Sequence, residues 1–235
     1  GDIITLISPD GDITPFGTTP RVKGYPVTAI FEIGMSEYDA SIVFMPISES
    51  QLYFNQEGIA QSIDTAVALG ADTVLVVPAV VKPDVTYEQA WSRSLAAMRR
   101  VLPLAERHGV VLAIENVWNK FLLSPIEFAA YIDSLQSPWA RAYFDVGNIL
   151  LYGYPQHWIG TLSSRIARVH IKGFDVKRMA FTYLMEGSAD WAAVLTALRE
   201  VGYDRTLTAE LPVDTGNPLG RLREISMDMD KILAL

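Results

Sequence analysis

Apolar residues recur every three to four positions over residues 57–69 (Ile59, Ile63, Val67) and again over 87–108 (Trp91, Leu95, Met98, Val101, Leu104). That spacing lines one face of a helix. The first stretch stops at Gly70 and the second at His108-Gly109, and a glycine just past the last periodic residue is a helix C-cap signal. Short apolar runs follow each helix: residues 71–77, ended by Pro78, and 110–114, closed by Glu115. Ser124-Pro125 opens another helix, with Ser124 as N-cap and Pro125 at the first helical position. Beyond it the pattern predicts a strand over 140–145, a helix over 157–163, a strand over 166–170, a helix over 190–201, a strand over 207–211 and a last helix over 219–233.

Strands alternating with helices predict an α/β fold with parallel pairing through helical crossovers. The strands are nearly continuous in apolar character, as strands covered on both faces are. No Gly/Ser-rich linker or charge block divides the chain, so residues 1–235 read as a single domain. A doubly wound sheet and a closed (β/α)8 TIM barrel both suit this alternation.

The strand ends discriminate between them. Glu115, Asp145, His170 and Glu210 each stand at or near the C-terminal end of a predicted strand, at spacings of 30, 25 and 40 residues. In a barrel, successive strand ends open into one mouth, where barrel enzymes place their chemistry. In an open sheet they would be strung along an edge. An acid at a strand end is individually commonplace, since it caps the next helix or pairs with a surface lysine. A lone histidine there is ordinarily a satisfied core residue. Repetition in every unit is what sets these four apart. Three carboxylates and an imidazole at a common mouth suit a divalent ion, with oxygen-rich ligation favouring Mn²⁺ or Mg²⁺, or Co²⁺.

The N-terminal quarter departs from this order. Residues 25–31 and 2–7 read as strands, separated by the turn-rich "SPDGDITPFGTTP". Residues 41–46, "SIVFMP", suggest one more strand, but the gap after Phe31 is too short for a parallel crossover. The expectation is an incomplete or irregular first βα unit. Exposed barrel edges of that kind favour association, so a homo-oligomer, dimer or tetramer, is expected.

Composition narrows the chemistry. Half of the residues are hydrophobic and a fifth charged, enough for a large core. The net charge of −8 lacks the basic footprint of nucleic-acid binding. With no cysteine, disulfides, thiolate metal sites and cysteine nucleophiles are excluded. There is no apolar run of membrane-spanning length and no basic-then-apolar leader, so the default expectation is a soluble, cytoplasmic protein.

Several segments also carry a family resemblance. "AIENVWNKFLLSP", "YFDVGN", "RVHIKGF", "MEGSADWAAVLTALREVGYD" and "TAEL" together resemble the xylose isomerase-like TIM-barrel superfamily, and within it the sugar phosphate isomerase/epimerase group that includes ketose 3-epimerases and hydroxypyruvate isomerases. The resemblance runs from about residue 56 to the C-terminus. It implies that Glu115, Asp145, His170 and Glu210 hold Mn²⁺, Mg²⁺ or Co²⁺. It further implies that Glu115 and Glu210 form an acid/base pair on opposite faces of a sugar or sugar phosphate. The chemistry implied is proton abstraction beside a carbonyl through a metal-stabilised enediolate, ending in epimerisation or isomerisation.

Substrate contacts are expected from Trp118 and Asn119 in the loop after Glu115, and from Asn148, where many relatives carry a histidine. Lys172 follows His170 and, with Lys177 and Arg178, could grip a phosphate, although such a run is ordinarily a solvated loop. Glu186 belongs to the "EG…DW" signature. An inosose-type dehydratase on the same barrel and a non-catalytic sugar-binding relative are the alternatives. A DNA-repair endonuclease of the superfamily would need a histidine-rich zinc site, and the chain has three histidines.

Overall fold

In the computed structural model, residues 3–14, 17–26, 59–211 and 216–235 are described. The chain opens with strands β1 (Ile3–Thr14) and β2 (Gly17–Pro26). Helices and strands then alternate: helix α1 (Ile59–Ala68), strand β3 (Thr73–Val76), helix α2 (Tyr87–His108), strand β4 (Val111–Glu115), helix α3 (Pro125–Ser134) and strand β5 (Ala140–Asp145). Next come a one-turn helix α4 (Val146–Ile149), helix α5 (Pro155–Leu162) and strand β6 (Ile166–Ile171). Strands β7 (Gly173–Asp175) and β8 (Ala180–Thr182), helix α6 (Trp191–Glu200), strand β9 (Leu207–Ala209) and helix α7 (Pro218–Leu233) complete the order.

Local chemistry explains most of these boundaries. Thr86 caps α2 in a reciprocal capping box with Gln89, and Gly109 ends that helix at φ 66°, a conformation open to glycine at little steric cost. Ser124 caps α3 by accepting a hydrogen bond from Glu127 N at 3.2 Å, with Pro125 in the first turn. Asp190 caps α6 in the same way through Ala193 N.

Strands β3, β4, β5, β6 and β9 lie side by side in that order, all parallel, forming the half-barrel of the described residues. A doubly wound sheet reverses its strand order at a switch point; this one advances in one direction, and the barrel alternative is the one that matches. The core lies between this sheet and the surrounding helices, with Leu112, Ile114, Phe144, Val169 and Ile171 of the strands packed against residues such as Met98, Phe128 and Ile159.

The N-terminus differs from its sequence reading. Residues 2–7 are strand from Ile3 onward, but the strand continues to Thr14 through residues expected to form turns, and β2 pairs with it antiparallel from Ile3↔Pro26 to Thr14↔Gly17. The ladder shifts register between Ser8 and Asp12; a β-bulge of this kind absorbs residues that a regular strand rejects. The start of the chain is thus a hairpin rather than a βα unit. The expected strand at 41–46, and residues 27–31 of the one begun at Tyr25, lie outside the described residues. No helix among the described residues is long and apolar enough to cross a membrane.

Candidate metal centre

Four of the parallel strands bring their C-terminal ends to one place. Glu115 is the last residue of β4 and Asp145 the last of β5. His170 stands in β6 directly opposite Asp145, and Glu210 follows β9, its backbone N–H donating to Ile171 O at 3.0 Å. Glu115 pairs with Tyr143, two residues before Asp145, so its longer side chain must reach forward to join the others. It does so: His170 Nδ1 lies 2.8 Å from Glu115 Oε1, and 3.9 Å from both Asp145 Oδ2 and Glu210 Oε2. One ligand atom from each of Glu115, Asp145, His170 and Glu210 falls within 4.8 Å of the others.

These donors fit a divalent ion. Oxygens and nitrogens bound to one small dication at about 2.0–2.2 Å can stand no more than about 4.4 Å apart, close to the spread seen. The Asp145 carboxylate is fully buried. Its Oδ1 accepts from Asn148 N at 2.7 Å, whereas Oδ2 accepts no well-directed hydrogen bond. A carboxylate oxygen buried this deeply requires a compensating positive charge.

Lys172 supplies part of the missing charge. Its ammonium lies 3.0 Å from Asp145 Oδ2, near enough for an ion pair though not aligned as a hydrogen bond, and it donates to Glu210 Oε2. Burial lifts the Asp145 carboxyl above its ordinary range, even against the pull of Lys172. Burial also raises Glu210, but the hydrogen bond and charge of Lys172, with His170, more than offset it and hold Glu210 below its usual value. For Lys172, burial disfavours the charge; Asp145 and Glu210 outweigh it and the ammonium is held above its usual range. The lysine stem reaches the carboxylates by crossing Gly147, where a Cβ would collide with Lys172 Cγ and lie 2.8 Å from its carbonyl oxygen. Gly147→Ala is therefore expected to destabilise the fold by about 1–3 kcal/mol, read as a lower midpoint in chemical denaturation; an unchanged midpoint would mean that the segment yields freely.

The cluster is held by a residue that sequence reasoning missed. Asn116, almost wholly buried, donates through Nδ2 to Asp145 O and accepts at Oδ1 from Asp145 N, both at 2.8 Å. This pair ties the end of β4 to the end of β5. Its only sequence signal was its place directly after Glu115. Asn148 is drawn into the same network, with Nδ2 donating to Asn116 O at 2.9 Å. Asn119 is also committed internally: Nδ2 donates to Ala79 O at 2.7 Å and Oδ1 accepts from Phe121 N at 3.1 Å, joining the loops after β3 and β4.

Of the other expected contacts, Trp118 is 44% exposed beside the mouth and donates from Nε1 to Asn148 O at 2.9 Å. Lys172 and Glu210 line a cleft of about 290 Å³ together with Phe181 and Leu211. Glu186 is exposed in the turn after β8, its backbone N–H bonded to Tyr183 O, and is not one of the four clustered residues. Lys177 and Arg178 sit at the exposed tip of the β7–β8 hairpin, where both backbone N–H groups donate to Asp175 Oδ1.

The xylose isomerase-like TIM barrel family matches residues 41–230. The chain belongs to that family. A curated relative, the 2-epi-5-epi-valiolone 7-phosphate 2-epimerase of Actinoplanes sp., is 34% identical over 106 residues, 45% of this chain and 37% of the relative. A second, an uncharacterised protein of Methanocaldococcus jannaschii, is 23% identical over 66% of this chain and 55% of its own length. The chain thus spans between about a third and just over half of the length of these two curated relatives. Among solved structures, an IolI protein with a bound zinc atom superposes with a TM-score of 0.66 at 17% identity, covering 74% of this chain and 67% of that one. The 3-keto-D-glucoside 4-epimerase of E. coli superposes at 0.63 with 15% identity, covering 80% and 73%. At these identities the structural likeness bears on the fold, and it agrees with the family's barrel.

Proposed function

We propose that the protein is a divalent-metal-dependent sugar isomerase or epimerase that moves a proton on a carbon next to a carbonyl. One observation carries the reading: a carboxylate–imidazole cluster with ligand atoms within 4.8 Å, at the shared mouth of adjacent parallel strands. The epimerase among the curated relatives supports the reaction class. Glu115, Asp145, His170 and Glu210 would hold the ion, and the zinc atom of the IolI structure supports a divalent ion at such a fold. When bound, Mn²⁺, Mg²⁺ or Co²⁺ supplies Lewis-acid polarisation of the substrate carbonyl.

The chain's own groups do the proton work. Glu210 is half exposed at the cleft and kept ionised by Lys172, so it can accept a C–H proton through its carboxylate oxygens. Glu115, buried and hydrogen-bonded to His170 Nδ1, would be the second carboxylate and return a proton from the other side. Lys172 and Trp118 would contact substrate directly, while Asn119 and Asn148 hold the loops that present Trp118. Glu186 would act from the loop leading into α6.

Incubation of the Mn²⁺-loaded protein in D₂O with free ketoses and ketose phosphates tests this. The expected result is a one-unit mass gain in one substrate, at carbon. Loss of water from a substrate would instead identify the dehydratase, and sugar binding without exchange a non-catalytic relative.

A further inference from the structure

His170 turns Nδ1 toward the three carboxylates, 2.8 Å from Glu115 Oε1 and 3.9 Å from both Asp145 Oδ2 and Glu210 Oε2. Its other ring nitrogen, Nε2, has no hydrogen-bond partner among the described residues. A metal-ligating histidine is ordinarily held by a hydrogen bond from that second nitrogen, which fixes the plane of the ring. The torsion that turns an imidazole is broad and roughly two-fold, so it sets no single orientation by itself. The Glu115 contact uses the same nitrogen that an ion would take. The ring therefore needs a support that leaves Nδ1 free.

Tyr143 is placed to give it. It stands two residues before Asp145 in β5, and so on the same face of the sheet. Its ring centre lies 4.1 Å from that of His170, with 47° between the planes, closer than the usual span of aromatic pairs. Its strand lies between β4 and β6, where Tyr143 is paired with Glu115 on one side and Arg168 on the other. Burial raises the Tyr143 phenol above its ordinary range, and Thr208 of β9 is the first group to counter it. Thr208 is in turn the residue paired with His170. The side chain thus leaves β5, passes against His170 of β6 and meets β9.

Arg168, the neighbour of Tyr143 on β6, is drawn elsewhere. It pairs through Nη2 with Asp72, next to the start of β3, and donates from Nη1 to Ala167 O at 2.8 Å. Among the described aromatic rings, Tyr143 is the one in contact with His170.

We propose that Tyr143 is a positioning residue whose ring face holds the His170 imidazole, in place of a hydrogen bond to Nε2, so that Nδ1 stays turned to Glu115, Asp145 and Glu210. This rests on the metal-dependent reading above and gives Tyr143 no contact with substrate. The ring, not the hydroxyl, carries the role.

The test uses Tyr143→Leu and Tyr143→Met, which remove the ring, and Tyr143→Phe, which removes only the hydroxyl. Calorimetry gives Mn²⁺ affinity, and proton–carbon correlation spectra of the metal-free protein give the His170 ring signals. The two ring-less variants are expected to bind Mn²⁺ about tenfold more weakly, the lower end of what support around a metal ligand contributes, with Tyr143→Phe within about twofold of wild type. Wild type and Tyr143→Phe should show one sharp set of His170 ring signals, and the ring-less variants a second set or broadened signals. A tyrosine that only fills space would lower Tm in the ring-less variants while leaving Mn²⁺ affinity and the His170 signals unchanged, and that result overturns the proposal. So does a comparable loss of affinity in Tyr143→Phe. In the wild type itself, nuclear Overhauser contacts between the two rings are expected, and their absence overturns the proposal whether or not the variants fold. If the wild type binds no Mn²⁺, the metal-dependent reading fails on its own. The His170 signals then decide: splitting or broadening confined to the ring-less variants supports the positioning role, and unchanged signals overturn it.

Discussion

Glu210→Gln is expected to reduce deuterium incorporation by about 10²–10⁴-fold, the range of a single general acid–base group. Glutamine keeps the shape of the side chain but cannot carry the proton. Glu210 is the more accessible of the two glutamates, with about half of its side chain open to the cleft against 7% for Glu115. The fold should tolerate the change: the pair with Lys172 is partly solvated at the Glu210 end, and such pairs contribute about 0–1 kcal/mol. Mass spectrometry of the sugar, with bound Mn²⁺ measured on the same sample, separates lost proton transfer from lost metal. Exchange within about threefold of wild type, with metal in place, would remove Glu210 from the reaction. Glu115→Gln should give a comparable loss, and if only one of the two matters, a two-carboxylate epimerisation gives way to a one-base mechanism.

The second large effect is expected at Lys172. Lys172→Met removes the cation that faces two of the three carboxylates, one of them, Asp145, fully buried. Removing one partner of a buried pair costs about 3–5 kcal/mol, and the exposure of Glu210 puts this case near the low end. For a chain of this length that corresponds to a fall in Tm of about 6–12 °C without metal. Divalent metal should behave in the opposite sense. With the competing ammonium gone, Mn²⁺ affinity is expected to rise by about tenfold, since one like charge a few ångströms away costs on that order even when well screened. Saturating Mn²⁺ should then restore most of the lost Tm through linkage. Differential scanning calorimetry with and without Mn²⁺ reads both effects. An apo Tm equal to wild type would mean that Lys172 does not balance the carboxylates, and an Mn²⁺ affinity below wild type would make it an aid to metal binding rather than a competitor.

Much of the barrel half was legible locally. Helices α2, α3 and α6 carry their own stop and start signals in Gly109, Ser124-Pro125 and Asp190, and those caps act within a few residues. Strands β4, β5 and β6 are short, mainly apolar segments whose residues are buried or half-buried throughout, so local character and burial point the same way. The βα spacing that follows is enough to bring Glu115, Asp145, His170 and Glu210 to successive strand ends, because in a parallel sheet every strand ends on the same edge.

What the sequence by itself determined is therefore most of the local elements from α1 onward, their alternation and the four residues at or near the strand ends. Tertiary structure decided the rest, wherever a feature depends on residues far apart in the chain. The one-way strand order selected the barrel. The strands of β1 and β2 run through turn-forming residues because ladder pairing between two segments outweighs single-residue preference. Strands β7 and β8 are three residues each, too short to show a period. The Asn116 clamp, the Lys172 bridge over Gly147 and the Phe181–Trp118 stack each join separate βα units. No window of sequence contains both halves of those contacts, and only the folded chain brings them together.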